Sequence, residues 1–224
     1  MAEVPQPKKG ASDIFEVSSA ILSTLLPPLT ILKAGADILV RKRMEDGQRL
    51  LISEIEDKGV SGLSDEKWDY YVPAAYRFFE QVRLGEYEHN LRILAKLIAG
   101  DLSESNASTD LGKVGRAARK LEMLTKEQLL ALSKCPRAFE IYEASSESDG
   151  YWICIEEQEL QASFAEDDLI VKPIECQEWL HELSCRGILT SGGRPSRVGG
   201  TFYYRNSVFN EIIAAASELV EQAL

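Results

Sequence analysis

The sequence predicts a mostly α protein, an N-terminal helical bundle followed by a small α+β unit. Three observations carry this expectation. Apolar residues recur at helical spacing through the first hundred positions, as in Tyr87, Leu91, Leu94, Ala95 and Ile98. Runs rich in aromatic and β-branched residues, such as Thr201-Phe202-Tyr203-Tyr204, lie in the C-terminal half. Gly192-Gly193 and Gly199-Gly200 bracket a tip carrying Arg194, Pro195 and Arg197, the pattern of a β-ribbon turn.

The totals suit a globular chain. With 224 residues, 45% of them hydrophobic and 27% charged, the protein can bury one large core or two small ones. The net charge of -11 is uneven. Residues 1–120 carry 17 Lys and Arg against 18 Asp and Glu, whereas residues 121–224 carry 8 against 18. An acidic C-terminal half is a poor start for a protein that must neutralise phosphates. Cys135, Cys154, Cys176 and Cys185 form no Cys-x-x-Cys pair, and the two histidines are His89 and His181. That set is too scattered for a zinc site, so the cysteines are expected reduced and packed in a cytoplasmic protein. Val17 to Leu32 is uncharged, but Pro27-Pro28 interrupts it, and Asp13 and Glu16 argue against a signal peptide.

In chain order, residues 1–10 read as a loose tail, residues 11–102 as the bundle and residues 108–224 as the α+β unit. Ala11 to Leu26 is helical, with Ile14, Val17, Ile21 and Leu25 along one stripe. Pro28 suits the first turn of the next helix, which runs to about Asp57 with Leu32, Ala36, Leu39 and Val40 inward and Gly47 as a bend. Ser64 caps a third helix with Asp65 and Glu66 in its first turn, and Pro73 either kinks it or begins a new one. Gly85 ends it, and Glu86 to Gly100 returns as the second arm of an antiparallel hairpin.

Ser103 to Thr109 is a polar linker and the expected unit boundary. Asp110 to Leu124 is helical, Thr125 caps Lys126 to Lys134, and Pro136 to Ala144 reads as a short helix or, over Phe139 to Tyr142, as a strand. Tyr151 to Ile155 favours a strand and Glu156 to Ala165 a helix. Ile174 to Arg186 is a helix with Cys176, Trp179, Leu180 and Leu183 on one face. Ile188 to Thr190 and Thr201 to Tyr204 are paired strands, and Ser207 caps a closing helix whose inner face includes Phe209, Ile212, Ala216, Leu219 and Val220. This order of helix, strand, turn, strand and helix resembles the second half of a winged helix.

A second resemblance spans residues 28 to 135. Ala74-Ala75-Tyr76, then Glu86 to Ala99, then Leu124-Thr125-Lys126-Glu127 looks like the central block of the bacterial Abi-alpha type proteins. In that family a helix of small and apolar residues is followed by a turn, then a helix of the form Glu … Leu-Arg … (Leu/Phe)-Ala … Leu-(Ile/Leu)-Ala, and some residues later by a Leu-(Ser/Thr)-x-(Glu/Asp) helix start. The resemblance implies a role in abortive infection or phage defence, with no assigned catalysis and no functional residues to carry over. The glycine-rich ribbon has no match in it.

Two sets of residues are candidate contact sites. Arg194, Arg197 and Arg205 lie in a stretch without acids between Gly187 and Asn206, and a basic ribbon suits phosphates. The preceding helix opposes this, offering Glu175, Glu178 and Glu182 against Arg186 alone. Lys113, Arg116, Arg119 and Lys120, at i, i+3, i+6 and i+7, gather on one helix face opposite Val114, Ala117 and Leu121. That face suits phosphate, lipid headgroups or an acidic partner, or is the wet side of an amphipathic helix. No phosphate loop, nucleophile elbow or calcium-loop spacing occurs, so no catalytic, cofactor or metal residue is predicted. The expected function is a non-catalytic interaction protein with a protein partner or a second copy of itself. A DNA-binding regulator is one alternative. A membrane effector acting through residues 11–40, beside Arg41-Lys42-Arg43, is another.

Overall fold

The computed structural model describes residues 11–26, 34–103, 111–145, 154–193 and 201–221. Among them the chain is mostly helical, with a small three-stranded antiparallel sheet toward the C-terminus. It divides into two compact units, Met1–Met123 and Leu124–Leu224.

The first unit holds α1 (Ala11–Leu25), α2 (Ala34–Asp57), α3 (Asp65–Leu84), α4 (Glu88–Ser103) and α5 (Leu111–Leu121). The expected boundary at Ser103 to Thr109 is displaced because α5 packs on α3 and α4 and so belongs to this unit. Helix α4 forms its centre. Leu91, Ile93, Leu94, Ala95, Leu97, Ile98, Ala99 and Leu102 are all buried, a distribution around most of the helix that only an enclosed helix can satisfy.

Helix α3 begins where Ser64 Oγ accepts the Lys67 N–H. It ends at Gly85, whose φ of 92° is the left-handed conformation in which its N–H reaches the Gln81 and Val82 carbonyls. Pro73 lies inside this helix without ending it. Tyr70, Tyr71, Ala74, Ala75, Phe78, Phe79 and Val82 are buried along it, and their burial outweighs the roughly 3 kcal/mol an internal proline costs. Helix α2 is likewise continuous through Gly47. The glycine is there for close approach: a Cβ would stand 2.8 Å from Val82 Cγ2.

Two expected stripes shift. On α1, Ile14, Ser18, Ile21 and Leu22 are buried, while Val17 and Leu25 are only half-buried. Ser18 fits inside because its hydroxyl donates to the Ile14 carbonyl and meets the Tyr71 hydroxyl at 2.5 Å. On α2 the buried stripe is Met44, Gln48, Leu51 and Ile55, whereas Leu39 is exposed. Leu32 lies outside the described residues, as do the side chain of Ala36 and the two prolines at 27 and 28.

The second unit holds α6 (Lys126–Ser145), β1 (Cys154–Ile155), α7 (Glu157–Ala165), α8 (Pro173–Cys185), β2 (Leu189–Gly193), β3 (Thr201–Arg205) and α9 (Ser207–Glu221). Thr125 and Gln128 cap α6 reciprocally, each side chain bonding the other's N–H at 3.3 and 3.0 Å. Helix α6 then runs unbroken through Pro136, with Cys135, Ala138, Phe139 and Tyr142 buried; the strand reading of Phe139 to Tyr142 is replaced by helix. In the sheet, β3 is central and antiparallel to both neighbours, in the order β1-β3-β2. Its register aligns Leu189 with Arg205 and Gly193 with Thr201. Asn206, rather than Ser207, caps α9, its Oδ1 accepting the Phe209 N–H at 2.9 Å. Phe209 and Ile212 are buried, and the side chains of Ala216, Leu219 and Val220 lie outside the described set.

Candidate binding cleft

The basic helix face splits. Helix α5 has its apolar side, Val114, Ala117, Ala118 and Leu121, in the core of the first unit. Lys113 does not point away from the protein as expected. Its Nζ donates to Asp101 Oδ1 at 2.6 Å, and Tyr70 Oη donates to Asp101 Oδ2 at 2.6 Å. The nearly buried Asp101 carboxylate therefore joins α3, α4 and α5, and Lys113 is structural.

Arg116 and Arg119 instead line a cleft of about 490 Å³ between α3 and α5. Arg77 from α3 lies in the same cleft with Glu80 and Gln81, and Gly112 and Gly115 form its α5 wall. The Arg77 guanidinium rests against Gly115, where any Cβ would collide with it. Three guanidiniums and the Glu80 carboxylate thus face one concave site. Lys120 is half-buried on α5 and does not line this cleft.

Sequence reasoning missed Arg77, which sits thirty-nine positions before Arg116. Its signal was the polar set Arg77, Glu80 and Gln81 at i, i+3 and i+4 on α3, matched by the small pair Gly112 and Gly115 on α5.

A second cleft of about 560 Å³ lies between α2 and α4, lined by Arg43, Asp46, Arg49, Glu86, Glu88 and Arg92 among others. Its charges are matched internally, with Arg49 paired to Asp46 and Arg92 to Glu88 at 3.1 Å. Glu86 is also engaged: its carboxylate accepts the N–H groups of Tyr87 and Met123 and the Asn90 amide at 2.8 to 3.1 Å. This knot holds Met123 at a φ of 58° at the exit from α5.

In the ribbon, Arg194 and Arg197 lie outside the described residues. Arg205 turns to α6, with its Cζ 4.4 Å from the centre of the Phe139 ring and its Nη2 3.7 Å from Glu143 Oε1. Beside it, α8 presents an acidic outer side. Glu182 accepts from Arg186 at 2.8 Å, Glu175 accepts the Lys172 N–H, and Glu178 is exposed.

Two acidic runs flank α7, Glu156, Glu157 and Glu159 at its start and Glu166, Asp167 and Asp168 after its end. Glu159 caps the start of α7 by accepting the Glu156 N–H at 2.8 Å. Glu166 takes a two-pronged contact from Arg137 at 2.7 and 3.0 Å, and Asp167 pairs with Lys134, so this exposed run ties the α7–α8 connection to α6. The Arg137 guanidinium holds the Glu166 carboxyl below the usual range. Burial raises the Cys176 thiol to about 11, and Cys135 is pushed up by the same cause. Cys185 departs from the expectation of packed cysteines and is exposed.

No helix among the described residues is long and apolar enough to cross a membrane. Among the same residues no group of three or more His, Cys, Asp or Glu side chains is arranged to hold a metal ion. Comparison with protein-family models, curated proteins and solved structures gave no match to this chain.

Proposed function

We propose that the chain is a non-catalytic interaction module whose first unit takes an acidic segment of a protein partner in the α3–α5 cleft. One observation carries the reading. Two helices bring Arg77, Arg116 and Arg119 into one concavity of about 490 Å³, together with Glu80 and Gln81. Guanidinium groups bind carboxylates through paired, charge-assisted hydrogen bonds. A partner with short acidic stretches suits a local site of this size. A long polyanion such as DNA would also meet the net charge of -11 and the acidic outer side of α8. The test is titration of the full chain and an Arg77→Ala/Arg116→Ala variant with a labelled Glu-rich peptide. Equal binding by both proteins refutes the assignment.

A second reading concerns the second unit. The order α6-β1-α7-α8-β2-β3-α9, with β3 between β1 and β2, supports a winged-helix reading. In that reading α8 stands where a groove-reading helix stands, but its outer side is acidic and Arg205 is turned to α6. We therefore read it as a protein-facing winged helix. A salt-sensitive mobility shift with mixed duplex DNA, lost in Arg194→Ala/Arg197→Ala, would overturn this reading. For the membrane alternative, Ile14, Ile21 and Leu22 of α1 are buried in the first unit while Phe15, Ile38 and Leu39 are exposed, and co-sedimentation with anionic liposomes tests it. The phage-defence setting implied by the Abi-alpha resemblance is retained as a proposal, tested by phage plating on cells with and without the gene.

A further inference from the structure

Of the four thiols, Cys135, Cys154 and Cys176 are buried and Cys185 is exposed. One helical turn before Cys185, also exposed, stands His181, and its Nε2 is 3.4 Å from the Cys185 Sγ. Both lie on α8 away from Cys176, Leu180 and Leu183, which fill the core. A spacing of i and i+4 puts two side chains over the same patch of helix surface.

The separation has a chemical meaning. A tetrahedral zinc ion, with Zn–S of about 2.3 Å and Zn–N of about 2.0 Å, holds two such ligand atoms roughly 3.5 Å apart. The 3.4 Å contact, a hydrogen bond between thiol and imidazole, is also the distance between two adjacent corners of such a tetrahedron. The other two corners do not come from the described residues, which contain no third ligand in place. The neighbouring carboxylates are engaged elsewhere, Glu182 with Arg186 and Glu175 with the Lys172 N–H.

We propose that His181 and Cys185 form half of a Zn²⁺ site that is completed by the same two residues of a second copy of this chain. Two imidazoles and two thiolates make a closed structural set, and a two-fold axis through the ion makes the two halves equivalent. Each Cys185 thiol gives up its proton on binding, so the ion's two charges are balanced by two thiolates and two protons are released. The exposed position of the pair on α8 permits a second α8 to approach.

The experiment uses the full chain with Co²⁺ as the spectroscopic probe and Zn²⁺ as the competing ion, under a phosphine reductant that prevents a Cys185 disulfide. The expected result is a thiolate-to-Co²⁺ band with intense visible absorption, saturating at half an equivalent per chain and bleached by Zn²⁺. Sedimentation should show the mass doubling with Zn²⁺ and returning with a chelator. His181→Ala and Cys185→Ser should each abolish both signals with unchanged thermal unfolding, since both side chains are exposed. Absence of the bands overturns the proposal, as does saturation at one equivalent on a monomer. So does Zn²⁺-dependent doubling that persists in either variant. A simple thiol–imidazole hydrogen bond gives the first of these overturning results.

Discussion

The Arg77 guanidinium on α3 occupies the space that a Cβ on Gly115 of α5 would take. The glycine is therefore the seat of an arginine, at a position where helix propensity alone favours alanine by about 1 kcal/mol. Gly115→Ala should displace the flexible end of Arg77 while leaving the fold intact. The expected outcome is an unchanged or higher melting temperature with several-fold weaker binding of a Glu-rich peptide. Calorimetry and anisotropy on the same sample check it, and early unfolding would mean that the glycine serves close helix approach instead.

Asp101 holds three helices through Tyr70 and Lys113. Asp101→Ala leaves a buried phenol and a largely covered ammonium without this acceptor, and should cost about 2–3 kcal/mol. Lys113→Met keeps the stem and should cost less. Urea unfolding of the three proteins gives the order.

Gly47 and Val82 meet where α2 crosses α3. Gly47→Ala should destabilise the first unit by about 1–3 kcal/mol through overpacking. Adding Val82→Ala makes room for the new methyl, so the double variant should lose less than the sum of the two single losses. Additive losses in a double-mutant cycle would show that the contact does not limit packing.

Tyr71 sets an alkaline limit. Burial, only partly offset by the Ser18 hydrogen bond, raises its phenol from 10.0 to about 12. A folded-state value above the unfolded one means the stabilising contribution is whole below pH 10 and is lost as pH rises from 10 through about 12. By pH ~11 the loss should be about 1 kcal/mol. Tyr71→Phe should start about 1 kcal/mol less stable for want of the hydroxyl contact, yet decline less between pH ~8 and ~11. Chemical unfolding at the two pH values measures both effects.

Much of the fold was legible locally. Ser64 before two acids, Gly85 after an apolar stripe and Thr125 three residues before Gln128 each mark a helix end by short-range chemistry, and the structure uses all three. The paired strands around the glycine pairs were equally readable. What escaped were decisions made by tertiary contacts. Pro73 and Pro136 remain inside helices because burial along α3 and α6 outweighs the local penalty. Helix α5 belongs with the first unit because Val114, Ala117 and Leu121 fill its core, which no linker composition reveals. The basic face was half legible. Helical spacing grouped Arg116 with Arg119, but it could not foresee that Asp101 would draw Lys113 inward or that Arg77 would arrive from another helix. The proximity of His181 and Cys185 followed from their i, i+4 spacing alone, and counting ligands along the whole chain obscured it.

The most direct test of the interaction reading is a parallel anisotropy titration of the full chain with two probes, a labelled Glu-rich peptide and a labelled DNA duplex of comparable length. The prediction is that the peptide binds more tightly than the duplex, that its affinity falls with added salt, and that Arg77→Ala/Arg116→Ala weakens it roughly tenfold or more. Peptide affinity unchanged in that variant, or a duplex that binds more tightly than the peptide, would contradict the account.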